Sequence, residues 1–186
     1  MSSIIKVNTY QDANGNALFS SDGSGNVTLS SADMKMTPAF EAYLSSTSGT
    51  VSNNVVTKVQ FNTEIYDTDS NYDNSTNYRF TPTVVGKYFV YAQILMNQGG
   101  GSLNYSRIFI YKNGSEYSSR RMEQTTNPAD RQGLNISTVI DMNGTTDYLE
   151  VFSFLTASSG HVIQSDSGGG YNTFFSGFLA RAVWVQ

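Results

Sequence analysis

The run Asp67-Thr68-Asp69-Ser70-Asn71-Tyr72-Asp73 sets oxygen-bearing side chains at alternate positions, as an EF-hand loop begins. Hard oxygen ligands on a bent loop are what a calcium ion needs. The rest of the pattern is missing. Tyr72 stands in the sixth place, where glycine makes the turn, and Tyr78 in the twelfth, where a bidentate glutamate closes the site. Asp67, Asp69 and Asp73 stay as weak calcium candidates outside that scheme, with a solvated polar loop as the favoured reading. No metal or other cofactor is otherwise expected.

Catalysis has little to start from. His161 is the only histidine and no cysteine exists to partner it. No Gly-x-Ser-x-Gly elbow is present to hold a serine nucleophile. His161 is expected in a loop, on a strand edge or in ligand contact. Paired carboxylates could cleave a glycosidic bond if they faced each other at the right separation. Glu116, Glu123, Asp130, Asp141, Asp147 and Glu150 are the candidates, and none stands out. The chain reads as non-enzymatic, with no catalytic residue.

Binding residues are easier to nominate. Tyr105, Tyr117 and Tyr171 sit in or beside expected loops, as does Tyr111, where a ring could stack on a sugar. Arg120, Arg121 and Arg131 could contact a glycan or a neighbouring subunit. Only Arg120 and Arg121 are adjacent among the 11 basic residues, and the formal net charge is −4. A nucleic acid partner is not expected, because neutralising phosphates takes a concentrated basic face. The sequons at Asn26, Asn74, Asn104, Asn113, Asn135 and Asn143 carry little weight in a chain this rich in Asn, Ser and Thr.

These residues must be positioned by strands. Twelve Tyr, 11 Phe and 16 Gly among 186 residues suit many short strands joined by polar turns. From Thr37 onward, short apolar or alternating runs recur with turn signals between them, the pattern of an all-β sandwich. Strands are expected at Ala39 to Ser46, Val55 to Asn62, Arg79 to Thr81, Lys87 to Asn97, Ser106 to Lys112, Gln132 to Met142, Asp147 to Ala157 and Thr173 to Gln186. Asn113-Gly114 and Asn143-Gly144 read as hairpin turns. Asn53-Asn54, Gly99 to Gly101 and Gly168 to Gly170 read as exposed loops.

The strand after Gly86 is unusual. Strands alternate faces, so Tyr88, Val90, Ala92 and Ile94 line one side and Phe89, Tyr91, Gln93 and Leu95 the other. Both rows are largely apolar or aromatic. A sheet with one face in water shows a polar row instead, so this strand is expected to be covered twice, inside by the opposite sheet and outside by another subunit. Complete enclosure within one chain is the alternative.

The central region resembles the C1q-domain signature. Phe61 is followed after five residues by Asp67, then after four by Tyr72; Phe80 is followed after five by Gly86, then by Tyr88. The interval between Tyr72 and Phe80 is one residue longer than usual, and Val90 and Ala92 stand where the family prefers aromatics. Ala39 to Tyr43 looks like the opening strand of that family, Ile110 to Gly114 like its central hairpin, and Thr173 to Leu179 like its closing strand. The resemblance implies a C1q/TNF-like jelly-roll head over residues 37–186 that assembles as a homotrimer. Phe61, Phe80, Gly86, Tyr88, Val90, Phe174, Gly177 and Phe178 are the candidates for the fold or trimer core. Some C1q-like proteins bind calcium, which keeps that ion in view.

Residues 1–36 differ from the rest. Asp12-Ala13-Asn14-Gly15-Asn16-Ala17-Leu18-Phe19-Ser20-Ser21 is followed by Asp22-Gly23-Ser24-Gly25-Asn26-Val27-Thr28-Leu29-Ser30-Ser31, a ten-residue repeat with Asp, Gly, Asn and Ser-Ser in register. Each unit reads as a turn and a short strand. Two such units cannot bury a face alone, so the segment is expected to pair with copies of itself or with a neighbouring protein. Ile5, Val7, Leu18, Phe19, Val27 and Leu29 are the docking candidates. Ile5 to Asp12 and Ser20 to Thr28 resemble the N-terminal regions of phage tail-fibre and head-fibre proteins. That resemblance implies a virion protein made in a host cytoplasm, docked on other virion proteins, whose head binds a host-surface glycan or protein or serves as capsid or tail cement. A secreted C1q-like lectin is a further alternative. The first apolar run is too short for a secretory signal and no stretch reaches the roughly 18–20 apolar residues of a membrane span, so membrane insertion is not expected.

Overall fold

The computed structural model describes residues 7–30, 35–48, 50–98, 103–124, 126, 129–158, 161–165 and 170–182, with side chains as far as 180. Its regular elements are fifteen strands. Three lie in the N-terminal segment: β1 (Thr9–Gln11), β2 (Ala17–Ser21) and β3 (Val27–Leu29), paired antiparallel in that order. The repeat sets both of its turns in the same way. Asp12 accepts the backbone N–H groups of Asn14 and Asn16, and Asp22 those of Ser24 and Asn26, while each carboxylate also holds the side-chain amide of its asparagine.

The other strands form two six-stranded sheets. One runs β11 (Ser115–Glu123), β10 (Leu103–Lys112), β13 (Leu149–Ala157), β8 (Arg79–Phe80) and β7 (Tyr72–Asp73), with β5 (Thr57–Lys58) also on β13. The second runs β12 (Arg131–Met142), β9 (Gly86–Asn97), β15 (Phe174–Ala182), β4 (Ala39–Tyr43) and β6 (Thr63–Asp67), with β14 (Val162–Gln164) also on β9. β9 and β12 pair without a bulge from Gly86↔Met142 to Asn97↔Arg131. β15 lies between β9 and β4 and pairs with both.

The sheets close on an aromatic core. The Phe40 ring packs against Phe80 at 4.2 Å and Tyr72 at 5.0 Å from the first sheet, and edge-on to Phe175 of its own sheet at 4.9 Å. Offset and edge-on pairs at these distances gain more than their buried area alone. The two buried tyrosines keep their hydroxyls satisfied, Tyr72 donating to the Phe61 carbonyl and Tyr88 to that of Val84. Desolvation raises both phenols well above their ordinary range.

Several expectations need correction. The segment 55–62 holds only the two-residue β5. The closing strand runs Phe174–Ala182, and the last four residues expected in it lie outside the described residues. β6, β7, β11 and β14 were not foreseen. β11 reads Ser-Glu-Tyr-Ser-Ser-Arg-Arg-Met-Glu and is mostly exposed, because it is an edge strand whose polar side chains mask its ladder. Asn113-Gly114 does turn the β10–β11 hairpin, with both residues at positive φ. Asn143-Gly144 does not make a hairpin, because β12 and β13 belong to different sheets. There the Asn143 carboxamide accepts the N–H groups of Thr145, Thr146 and Asp147, and the chain crosses between layers. Gly170 is exposed, and Gly99 to Gly101, Gly168 and Gly169 lie outside the described residues.

Candidate functional site

The two rows of β9 part as alternation requires. Tyr88, Val90, Ala92, Ile94 and Met96 are buried between the sheets. Phe89, Tyr91, Gln93 and Leu95 point outward and stay half-buried. Neighbouring strands extend this outer row into a surface. Phe89 stands opposite Phe178 with ring centroids 5.5 Å apart, and Tyr91 stacks on Phe174 at 5.4 Å. Phe174 faces Tyr43, whose ring lies 4.4 Å from that of Tyr171. Tyr66 stands opposite Glu41 at the far side, and Val139 opposite Phe89 at the near side. Tyr66, Val139 and Tyr171 are 44%, 50% and 49% exposed.

A continuous aromatic face in contact with water on a folded chain marks an interaction surface. Its margin is polar, since β12 presents Asn135, Ser137 and Asp141 outward beside it. Asp141 is engaged by Lys87 at 2.7 Å. Partial burial, and to a lesser degree the Glu41 carboxylate opposite, raise the Tyr66 phenol. The face is therefore built for apolar and stacking contacts more than for ions.

The fold-core candidates divide between the two sides of this sheet. Phe61, Phe80, Tyr88, Val90, Gly86 and Gly177 lie inside the sandwich, whereas Phe174 and Phe178 belong to the outer face. Gly177 fits because β15 is crowded there: a Cβ would lie 2.8 Å from Val90 Cγ1 and 3.1 Å from the Phe89 carbonyl oxygen. Tyr43 and Tyr66 were missed by sequence reasoning. Their membership depends on the β15–β4–β6 pairing, which no local pattern encodes.

The ligand-contact candidates are not brought together. Tyr105 lies within β10, not in a loop, with its ring edge-on to Phe154 at 5.8 Å. Tyr117, Arg120 and Arg121 lie in β11, and Arg121 approaches Glu123 at 3.7 Å. Arg131 opens β12 in the other sheet, and Tyr171 adjoins the aromatic face. Tyr111 is likewise in β10, packed on Phe152 at 4.3 Å.

The acidic loop is occupied with its own backbone. Asp67 accepts the N–H of Tyr72 at 2.7 Å, Asp69 accepts the Thr68 hydroxyl at 2.6 Å, and Asp73 accepts the N–H groups of Ser75, Thr76 and Asn77. Those bonds hold Asp73 far below the usual carboxylate range. Among the described residues no three carboxylates, histidines or cysteines gather as a metal site. Asp67, Asp69 and Asp73 thus act in turn formation, as the solvated polar loop favoured from sequence would have them.

Five of the six acid-pair candidates meet a basic side chain. Glu116 meets Arg107 at 2.9 Å, Asp147 meets Lys112 at 2.8 Å, and Glu150 meets Lys58 at 2.5 Å. His161 is 2% exposed, bridged through its backbone to Val51, and neither ring nitrogen has a partner among the described residues. That backbone bridge beside β14 puts it on a strand edge, one of the places expected for it. Burial lowers its pKa to about 4 and leaves the imidazole neutral.

The N-terminal docking candidates are uncovered in the single chain. Val7, Leu18 and Val27 are exposed, while Phe19 and Leu29 are half-buried and pair across β2 and β3. Tyr10 stacks on Phe19 at 4.4 Å. Ile5 lies outside the described residues.

Two antiparallel sheets, with the last strand inserted beside the first and one outer face left aromatic, match known heads. The globular domain of zebrafish complement 1qA superposes with a TM-score of 0.54 at 15% identity, over 78% of this chain and 99% of that one. The fold is the C1q/TNF jelly roll. Eiger TNF from S. frugiperda matches at 0.58 and 12% identity, over 79% and 94% of the two chains. Murine APRIL matches at 0.52 and 13%, over 75% and 95%. No family model and no curated protein sequence matches the chain. The C1q/TNF-like fold therefore rests on shape, at identities where sequence has drifted almost completely.

Proposed function

We propose that this chain is the trimeric, non-enzymatic head of a bacteriophage virion protein, held to the particle by its N-terminal segment and adhering to a host surface. The observation that carries the reading is the aromatic outer face of β9, β15 and β4. Three copies around a common axis would cover Phe89, Tyr91, Phe174 and Phe178 on every chain. Each ring passing from half-exposed to buried adds roughly 1 kcal/mol or more. The bacteriophage setting is supported by the wording of the first thirty residues, and the docking role by a small sheet that leaves Leu18 and Val27 in water. Trimeric presentation multiplies a weak single-site affinity through effective concentration.

Light scattering on the full-length chain, beside a version beginning at Thr37, tests the assembly. Both are expected at three times the monomer mass. Replacing Tyr91 and Phe178 together by Ser is expected to give folded monomers. Monomeric wild-type protein would sink the trimer. A purely structural cement is the second reading, favoured by the uncovered N-terminal sheet. Particles lacking an adhesin stay intact and fail to attach, whereas particles lacking a cement leak.

A further inference from the structure

A cleft of about 440 Å³ opens where the loop after β4, the segment around β5 and the turn at Tyr78 meet β14. That volume lies within the roughly 300–1,000 Å³ typical of small-molecule sites. Its lining has two parts. Leu44, Val51, Val59 and Ile163 are buried apolar residues whose side chains reach the cleft from the sandwich edge. Ser46, Thr50, Gln60, Asn62 and Tyr78 supply a neutral polar rim.

The rim has hydrogen-bonding capacity to spare. The side chains of Ser46, Thr50, Gln60 and Tyr78 make no hydrogen bond to another described residue, and Asn62 uses only its carbonyl oxygen, which accepts from Ser45 and Thr63. Among the described lining residues Lys58 is the only charged one. Its ammonium is already committed, to Glu150 at 2.5 Å and to the Asn77 carbonyl at 3.2 Å. An anionic ligand would therefore find no free cation to offset its lost hydration.

The rim is also held in place. Asp73 clamps the turn that ends at Tyr78, accepting both the backbone N–H and the side-chain amide of Asn77. Tyr78 itself sits at φ +50°, a left-handed conformation that a bulky residue keeps only when its surroundings impose it. An aromatic hydroxyl, two amides and two hydroxyls above an apolar lining fit a ligand with one apolar C–H face and a fringe of uncharged hydroxyls.

We propose that this cleft binds a neutral sugar, one or two pyranose units of an uncharged glycan. The inference names the contact site of the adhesive reading and rests on that reading for its biological role, while its chemistry stands on the cleft alone. Tyr105, Tyr117 and the arginines of β11 lie outside it.

The test titrates the full-length protein with methyl glycosides of glucose, galactose, mannose and N-acetylglucosamine, and with glucuronic and N-acetylneuraminic acids as charged counterparts. Calorimetry and backbone amide shifts are read together. At least one neutral glycoside is expected to shift the amides of Gln60, Asn62 and Tyr78, and the acids are expected to leave them unmoved. In Gln60→Ala combined with Tyr78→Phe, the neutral sugar binds about tenfold weaker or worse. An unchanged melting temperature shows that the variant is folded.

No shift in these amides with any neutral glycoside overturns the proposal, as does sugar binding that the double variant leaves intact. Equal binding of the acids overturns the neutral specificity. Particles carrying the double variant separate this inference from the adhesive reading. Undiminished host attachment removes the cleft as the contact and leaves adhesion standing. Cleft-bound sugar with no attachment by wild-type particles does the reverse.

Discussion

The three-stranded N-terminal sheet and the sandwich use the same turns and strands, yet only one encloses anything. In the sandwich Phe40 is fully buried among rings from both layers. In the small sheet no described residue of β1, β2 or β3 is buried, and its best contact is the stack of Tyr10 on Phe19. Backbone pairing and well-capped turns define a shape, but a second layer is needed to hold it in water. The small sheet therefore has turn-encoded geometry and, among the described residues, no core of its own.

The sharpest way to break this contrast is to remove one ring from each region. Phe40→Ala is expected to cost the sandwich about 3–5 kcal/mol in denaturant unfolding, because it opens a cavity between the sheets. Phe19→Ala should shift the same transition by less than about 0.5 kcal/mol. Equal losses would mean that the two regions share one cooperative core.

Glycines give the next contrast. Gly144 and Gly15 both have positive φ, +70° and +84°. A Cβ at Gly144 would run into Val85 N and approach Val84 C at 2.7 Å, whereas one at Gly15 meets open space. Gly144→Ala should cost about 3 kcal/mol, combining backbone strain with overpacking, and Gly15→Ala about 1 kcal/mol. Thermal melting of the two variants checks the order.

Acid should then act on the two regions in different windows. His161 titrates near its ordinary 6.5 when unfolded but only at about 4 when folded. Unfolded chains thus take up a proton first, and the sandwich loses stability as pH falls from about 6.5 toward 4. In His161→Leu that slope should vanish from a denaturation series measured across the window. The turn carboxylates Asp12 and Asp22 are lowered by bonds to Asn16 and Asn26, so their contribution is present above the ordinary carboxylate value and fades below it. Protection of the β1 to β3 amides, taken relative to the intrinsic exchange rate at each pH, should fall only there. Asp12→Ala should produce the same loss of protection at neutral pH, the smallest effect of the series.

The legible part of this molecule was its alternation. The two apolar rows of β9, the β10–β11 turn at Asn113-Gly114 and the opening and closing strands could be read because each is a local pattern. Phe174 and Phe178 followed from the closing strand, although their shared face with Tyr43 and Tyr66 depends on pairing between distant segments. β11 was hidden because an edge strand with polar residues on both sides has no hydrophobic period. The buried position of His161 and the cleft at Tyr78 arise where loops converge, and spacing along the chain carries no signal for that.

The position of β15 bears on how such a head is made. Phe174–Ala182 does not lie at a sheet edge but between β4 and β9, and it holds those two strands together. A chain without β15 leaves the second sheet in two parts, with β4 and β9 each lacking a neighbour. Chains stopped short of that strand present two unpaired strand edges and an open aromatic core, which is what chaperones and proteases recognise. Length is thus written into the order of the sheet: a chain cut before Phe174 loses the strand that joins the two halves, not an edge that could be spared.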